Sequence, residues 1–376
     1  MRQASTETDT PARQPELIAA AQRGDEDAYG RLIEAYRGEL TAHCYRMLGS
    51  LHDAEDAMQE TLLRAWRGLP QFEGRSSLKS WLYRIATNTC LTAIGRRPKR
   101  VHPIDFAPAS DPAAGPGKPI AETVWIEPFP DHELGIADGY AAPEARYERR
   151  ESVELAFVAA LQHLPPRQRA VLILREVLGY QAREVAATLE TTTASVNSAL
   201  QRARKTLDER LPDASQQSTL RTLGDQRVRE VIDAYVDAWD REDIDGVVAM
   251  LTEDATFSMP PLDSWYGGPG GGERMRAFLG VGPLSGEWRW LHRLVRANGQ
   301  WALAFYSWYE PAQAHVPFAL NVLTLRGEKI SDVTCFATRS IESTDPESYA
   351  RWPEEPPDPR RLEDFFGRFG LPDRID

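Results

Sequence analysis

Residues 98–143 constrain the architecture more than any other feature of the chain. They include PKRVHPIDFAPASDPAAGPGKPIAETVWIEPFPDHELG, where Pro and Gly recur and no apolar period holds. A stretch of about 45 residues without regular structure is uncommon inside one compact domain, so this one should tether separate modules. Its apolar island, VWIEPFP, suggests a docking peptide. The chain has 376 residues. That length accommodates two or three domains, each able to bury its own core.

On the N-terminal side, residues 15–95 keep helical spacing throughout. LIAAAQRGDEDAYGRLIEAYRGELTAHCYRML breaks at Gly24–Asp25. Ser50-Leu51-His52-Asp53 offers a turn and an N-cap before DAEDAMQETLLRAWRGL, whose early acids suit the helix dipole. PQFEGRSS reads as a loop, and SLKSWLYRIATNTCLTAIGRR as a further helix with a basic end. Residues 144–210 are helical again, and SQQSTLRTLGDQ (215–226) is a polar connector. From Arg227 the run RVREVIDAYVDAWDREDIDGVVAMLTE gives two helices, with Val228, Ile232, Tyr235 and Trp239 on one face. The period then drops to two. EWRWLHRLV, WALAFYSWYE, HVPFALNVLTL and ISDVTCFAT alternate as strands, and Asn298-Gly299 marks a tight hairpin.

Helices followed by antiparallel strands predict an α+β domain. The expected fold is therefore multidomain, with two all-α modules followed by one α+β domain. The boundaries read as a disordered N-terminus (1–14), a helical module (15–100), the acidic linker (101–143) and a second helical module (144–210). A connector (211–226), the α+β domain (227–340) and a Pro-rich tail (341–376) complete the chain.

The formal net charge is −12, the wrong sign for a nucleic-acid binder. It is unevenly spread: +2 over 1–100, −5 over 101–150, +1 over 151–210 and −10 over 211–376. No run of about 18 apolar residues occurs, so no membrane partner is expected. The polar start, MRQASTETDTPARQPE, lacks an apolar signal core, which argues against secretion. Cys44, Cys90 and Cys335 are scattered and match neither a disulfide framework nor a zinc spacing. They point to small buried side chains in a reducing cytoplasm. No metal or cofactor is implied.

QAREVAATLETTTASVNSALQRARKTL (181–207) reads as two short amphipathic helices. Gln181–Leu189 turns Val185, Ala186 and Leu189 inward, and Thr192 can N-cap the second helix. There Val196, Leu200, Ala203 and Leu207 make one narrow apolar stripe. Thr193, Ser195, Asn197, Ser198, Gln201 and Arg202 remain for a DNA groove, with Arg204 and Lys205 near for phosphates. Upstream, Pro165-Pro166 starts a helix whose Ala170, Val171 and Leu174 bury beneath the motif.

LPPRQRAVLILREVLGYQAREVAATLETTTASVNSALQRARKTL resembles region 4 of sigma-70-type transcription initiation factors of the extracytoplasmic-function group. DAEDAMQETLLRAW resembles region 2.2 of the same family, and FEGRSSLKSWLYRIATN resembles regions 2.3 and 2.4. Two motif sets in order, joined by a linker, cover residues 15–210. Family recognition helices are often more basic at the positions of Asn197 and Ala199, and usually carry Gly where Glu190 stands.

The resemblance implies a non-catalytic specificity subunit whose partners are core RNA polymerase and promoter DNA. The polymerase would supply most of the affinity, so an acidic chain is no obstacle. Asp53, Asp56, Gln59 and Glu60 would dock on the polymerase clamp. Glu73, Gly74, Arg75, Ser76, Ser77 and Lys79, with Arg84 and Asn88 along the next helix, would capture an unstacked base of the −10 element. Arg96, Arg97, Lys99 and Arg100 form a basic cluster suited to phosphates. Thr192 to Lys205 would read the −35 element. The acidic linker would thread the active-site cleft, and VWIEPFPD resembles a short motif in linkers of sigma factors with a fused C-terminal domain. Trp81 reads as core.

VREVIDAYVDAWDREDIDGVVAMLTEDATFSMPP…WYGG resembles SnoaL-like members of the NTF2-like fold, a cone of curved sheet around a pocket. Trp265, Tyr266, His292, Trp301, Tyr306 and His315 could line that pocket and receive an unknown small molecule. Asp254, Asp263, His292 and His315 could do acid/base work, though no spacing brings them together. Gly267–Gly272 reads as a flexible loop or hinge. The charge of −10 after residue 210 suggests an intramolecular contact in which this domain covers basic DNA-facing surfaces and regulates them in cis. Two rivals remain open at this stage. One is a SnoaL-like enzyme tethered to a DNA-binding part, and the other an ordinary helix-turn-helix regulator.

Overall fold

A computed structural model of the chain describes residues 14–96, 98–114, 125–134, 151–338 and 365–376. The N-terminal bundle comprises α1 (Gln14–Gln22), α2 (Glu26–Glu34), α3 (Arg37–Leu48), α4 (Leu51–Gly68) and α5 (Leu78–Ile94). Short polar side chains start its helices: Asp25 accepts from the Ala28 amide at 2.9 Å, and Ser50 and Ser77 each cap at 3.1 Å. Gly49, at φ 73°, ends α3 in the left-handed conformation, so that α4 can begin two residues later. Every residue of α3 from Leu40 to Leu48 is buried. That includes His43, whose imidazole burial pushes down to about 3.

The linker contributes a short turn, α6 (Pro103–Phe106), and the strand-like pairing of Val101 with Trp125. The second helical module holds α7 (Leu155–Gln162), α8 (Pro166–Leu172), α9 (Ala182–Thr188) and α10 (Thr193–Asp208). It packs on α3 and α5 through a shared apolar cluster, with polar ties to α3. Arg169, 4% exposed, donates to the carbonyl of Met47 at the end of α3 and to Gln162 Oε1 at 2.5 Å. Arg46 donates to the carbonyl of Ser152 at 3.1 Å and to its hydroxyl at 2.9 Å.

The C-terminal domain opens with α11 (Gln216–Leu223), α12 (Asp225–Asp240) and α13 (Ile244–Ala249). Its sheet comprises β1 (Leu251–Ser258), β2 (Trp265–Gly267), β3 (Trp290–Ala297), β4 (Gln300–Tyr309), β5 (Ala314–Arg326) and β6 (Lys329–Ala337), with α14 (Gly272–Val281) between β2 and β3. The strand order is β2-β1-β6-β5-β4-β3. Leu303, Phe305, Ala319 and Val333 face inward under Val228, Ile232, Tyr235 and Trp239 of α12. Ala302, Ala304 and Tyr306 face the other way.

Three expectations need correcting. The helical modules do not bury separate cores: one apolar cluster runs through both and onto the outer sheet face. The small side chains of Ala297, Ala302 and Ala304 let other segments approach that face closely. Second, Leu251–Glu253 are not helical. They begin β1, which pairs in parallel with β6, so the sheet is not purely antiparallel. Third, the glycine run is not free along its whole length: Gly267 and Gly271 are close-packed, while Gly270 and Gly272 stand in open space. Gly267 has φ +99°, and a Cβ there would lie 2.0 Å from the carbonyl oxygen of Ala255.

Candidate nucleic-acid interface

The helix-turn-helix is built as its pattern requires. Val185, Ala186, Leu189, Val196, Leu200, Ala203 and Leu207 are all buried. Thr192 Oγ1 accepts from the Ser195 amide at 3.1 Å and fixes the start of α10. Thr192, Thr193, Ser195, Asn197, Ser198, Gln201, Arg202, Arg204 and Lys205 all stand exposed. Arg204 is steered by an ion pair to Glu176 at 2.7 Å.

In the bundle, Glu73, Gly74, Arg75, Ser76, Ser77 and Lys79 form an exposed loop and helix start. Arg75 pairs with Glu73 and Lys79 with Glu39, each at 2.5 Å. Arg84, further along α5, reaches across to Glu190 in the α9–α10 turn at 3.2 Å. Asn88 lines a shallow cleft with Pro166, Arg167 and Thr188. The side of α5 that carries Arg84 and Asn88 therefore faces the second module. Arg96 is exposed, and Arg97 lies outside the described residues. Glu190 occupies φ +51°, the left-handed region that favours Gly. Its side chain is what makes the cross-module ion pair.

Along α4, Asp56, exposed, faces His52 at 3.8 Å, Gln59 is exposed, and Glu60 holds Arg64 at 2.6 Å. Asp53 departs from the expected docking row. It is 3% exposed, and its carboxylate is held by the guanidinium of Arg100, which is 4% exposed. Arg100 is thus no phosphate ligand in this conformation; it also donates to the carbonyl of Trp125 at 2.6 Å. Burial of a lone acid at this site would be costly, so the pair comes inside together.

That arginine anchors the apolar island of the linker. Glu127 Oε2 accepts from the Ser50 hydroxyl at 2.8 Å and the His52 amide at 3.3 Å, an anion at the start of α4. Phe129, fully buried, packs on Tyr45 at 4.7 Å. Here the Asn298-Gly299 turn enters. Asn298 Oδ1 accepts from the Phe129 amide at 2.8 Å, while Nδ2 donates to Tyr45 Oη at 2.8 Å and to the Val153 carbonyl at 2.7 Å. Gly299 N donates to Asp131 at 2.7 Å, and Leu155 N donates to Gln300 Oε1 at 3.0 Å. One hairpin tip thereby touches the bundle, the linker and the second module.

Two more ties lie nearby. Glu154 accepts from the amides of Gln216 and Gln217 at 3.0 and 2.7 Å, at the start of α11; burial pushes its carboxyl up to about 7. Phe366 of the tail is fully buried, and Arg368 pairs with Glu55 of α4 at 2.9 Å. The charge in that pair runs opposite to expectation, with the acid on the helical side. Among the described residues no ion pair sets the acidic domain against α10, and the polar face of that helix is exposed.

The aromatic and polar residues proposed for a pocket scatter. Tyr306 and His315 lie on the outer side, where Tyr306 Oη donates to the Pro372 carbonyl at 2.9 Å and His315 pairs with Ile375. Trp301 lies under Arg296 at 3.6 Å, Tyr266 stacks on Phe278 at 4.0 Å, and Trp265 binds the linker. His292 lines a cleft and holds Asp240 at 3.0 Å, and Asp254 pairs with Arg326. Alternation on the strands sent them to different faces. A cavity does exist beside them, floored by Asn321, which no spacing marked.

Family profiles match in the same order as the modules. Sigma-70 region 2 matches residues 32–100, sigma-70 region 4 residues 154–207, and the SnoaL-like domain residues 232–333. The ECF RNA polymerase sigma factor SigG of Mycobacterium tuberculosis is 40% identical over 358 residues, 95% of this chain and 86% of that one. The RNA polymerase sigma-H factor of Pseudomonas aeruginosa is 31% identical over 54% of this chain and 95% of its own length. In fold, the crystal structure of M. tuberculosis extracytoplasmic function sigma factor SigJ matches with a TM-score of 0.52 at 21% identity, covering 81% of this chain and 95% of that one. With both sigma regions in sequence, and a relative of that identity spanning nearly its whole length, the chain belongs to the extracytoplasmic-function (ECF) RNA polymerase sigma factors.

Proposed function

We propose that this sigma factor rests in a closed state held by its own C-terminal domain, and that opening releases its promoter-reading surfaces to core RNA polymerase. In the open state the exposed face of α10, Thr192 to Lys205, reads the −35 element. The 73–79 loop with Arg84 and Asn88 captures the unstacked −10 strand. Asp56, Gln59 and Glu60 dock α4 on the polymerase, and Asp53 joins them once Arg100 lets go. The linker, freed from Asn298 and α4, becomes available to the polymerase cleft.

The observation that carries this reading is the Asn298 tip of the C-terminal domain, bonded to the linker at the Phe129 amide and to the second module at the Val153 carbonyl. What the closed arrangement would mask is illustrated by Arg84. Its guanidinium lies against Glu190 of the other module at 3.2 Å, a carboxylate where a DNA phosphate or base would have to be.

Transcription in vitro from a cognate promoter tests it, comparing the full chain, residues 1–210, and a chain ending near residue 341. The shortened forms should initiate more strongly at equal core-enzyme concentration. Equal activity in all three would remove the cis control while leaving the sigma function standing.

A further inference from the structure

Beneath α12 and α14, on the inner face of the sheet, lies a cavity of about 300 Å³. That is the small end of the range for organic-ligand sites. Trp288 and Trp290 stack at 5.0 Å on one wall, and Phe318 meets both edge-on at 5.2 and 5.0 Å. In the floor sits Asn321 of β5, between Leu303 of β4 and Cys335 of β6. It is 2% exposed, and its Oδ1 has no hydrogen-bond partner. A carboxamide oxygen left unpaired among aromatic and aliphatic walls costs free energy that a bound donor would recover. The charged residue at the cavity, Glu287, stands exposed at the rim and would repel an anion.

The mouth is lined by Pro112 of the linker. That segment is held to β2: Ser110 N donates to the Trp265 carbonyl at 2.8 Å, and Trp265 Nε1 to the Ala107 carbonyl at 2.8 Å. A few residues upstream, the same linker carries Arg100, the partner of Asp53.

We propose that this cavity receives an uncharged, planar, largely apolar small molecule bearing one hydroxyl or N–H. That group donates to Asn321 Oδ1, while the ring system lies among Trp288, Trp290 and Phe318. Occupancy shifts Pro112 from the mouth and loosens the linker; only this second half rests on the cis control proposed above.

The test uses the full chain and three probes followed by titration calorimetry. 2-Naphthol should bind saturably with one site. Naphthalene, lacking the donor, should bind at least tenfold more weakly, and 2-naphthalenesulfonate should not bind. Asn321→Leu should bring 2-naphthol down to the affinity of naphthalene and leave naphthalene itself unchanged. Absence of saturable 2-naphthol binding, or equal affinity for the three probes, overturns the site, and that comparison needs no variant. Hydrogen exchange at the Ser110 amide should quicken at least threefold with 2-naphthol bound. Unchanged exchange overturns the linker half. Neither measurement involves polymerase, so a failure here stands apart from a failure of the closed-state reading.

Discussion

Replacing Asn298 by Ala removes three hydrogen bonds at the point where four segments meet. The Tyr45 hydroxyl keeps its own bond to the Glu127 carbonyl at 2.7 Å and suffers least. The Phe129 amide and the Val153 carbonyl belong to residues with no exposed surface, so each is stranded. A buried backbone group left without a partner costs about 1–3 kcal/mol. Asn298 also holds φ +55°. Alanine in that left-handed region adds about 1 kcal/mol that Asn largely avoids. The closed arrangement should lose about 3–7 kcal/mol, less whatever hydration recovers. Since about 1.4 kcal/mol is tenfold, even the lower figure raises the open population about a hundredfold. Hydrogen exchange at the Phe129 and Leu155 amides reads that population directly, and urea unfolding reads the total. Asn298→Gly separates the causes: it loses the same bonds but not the backbone freedom, and should sit about 1 kcal/mol above Asn298→Ala. If Asn298→Ala exchanges at Phe129 within twofold of the parent with an unchanged urea midpoint, the hairpin tip does not hold the modules together.

Three further outcomes are expected. Glu190→Gly relieves left-handed strain of about 1 kcal/mol and deletes an exposed ion pair worth at most about that, so stability should barely move. Freed Arg84 should nevertheless speed promoter opening with core enzyme, read as permanganate-reactive thymines; an unchanged rate would sever Arg84 from control. Glu154 has its carboxyl raised from 4.5 to about 7. A folded-state value above the unfolded one means stability is fully present below about pH 4.5 and is lost as pH rises through about 7, by up to about 3 kcal/mol. Glu154→Gln should flatten that part of the urea-midpoint profile, and parallel profiles would show that Glu154 is not its source. Gly267→Ala forces a Cβ into the Ala255 carbonyl oxygen and should cost at least about 3 kcal/mol, seen as a lowered melting transition of the C-terminal domain; a melting point within a degree would contradict the packing described.

What the sequence made legible was whatever a local period or cap encodes. The stripe Val196, Leu200, Ala203, Leu207 and the Thr192 cap appear as expected because one helix turn carries all the information. Asn298-Gly299 was readable as a hairpin from its backbone preference alone. That its carboxamide would reach the linker and both helical modules was not readable, because its partners lie 145 to 253 residues away in sequence. Asp53 and Arg100 were misplaced for the same reason: each looks like a surface charge until the other is brought beside it. The pocket residues failed differently. Alternation says which strand residues share a face, but not which face closes over a cavity, and on β5 the pairing skips Phe318, so that Phe318 and Ala319 turn inward at consecutive positions. Glu190 was visible as a departure from the usual Gly, but neither its left-handed backbone nor the ion pair its side chain makes could be read before the structure.

The chemistry of the closed contacts bears on how such control can be reversed. The apolar cluster shared by the helical modules and the outer sheet face resists opening, because parting it exposes hydrocarbon to water. It is crossed by groups that water serves almost as well: Asn298, Arg46, Arg169, and the Asp53–Arg100 pair. Taking such charges out of water costs about as much as their pairing returns, so the net contribution of each tie is small while its geometry is strict. Ties of that kind fix one arrangement while adding little to the cost of parting it. On the closed-state proposal, what core polymerase has to offset is chiefly the apolar surface that opening exposes. The acidity of the C-terminal domain is consistent with this. Among the described residues that domain makes no ion pair with α10, and its charge would repel promoter DNA whenever the modules separate.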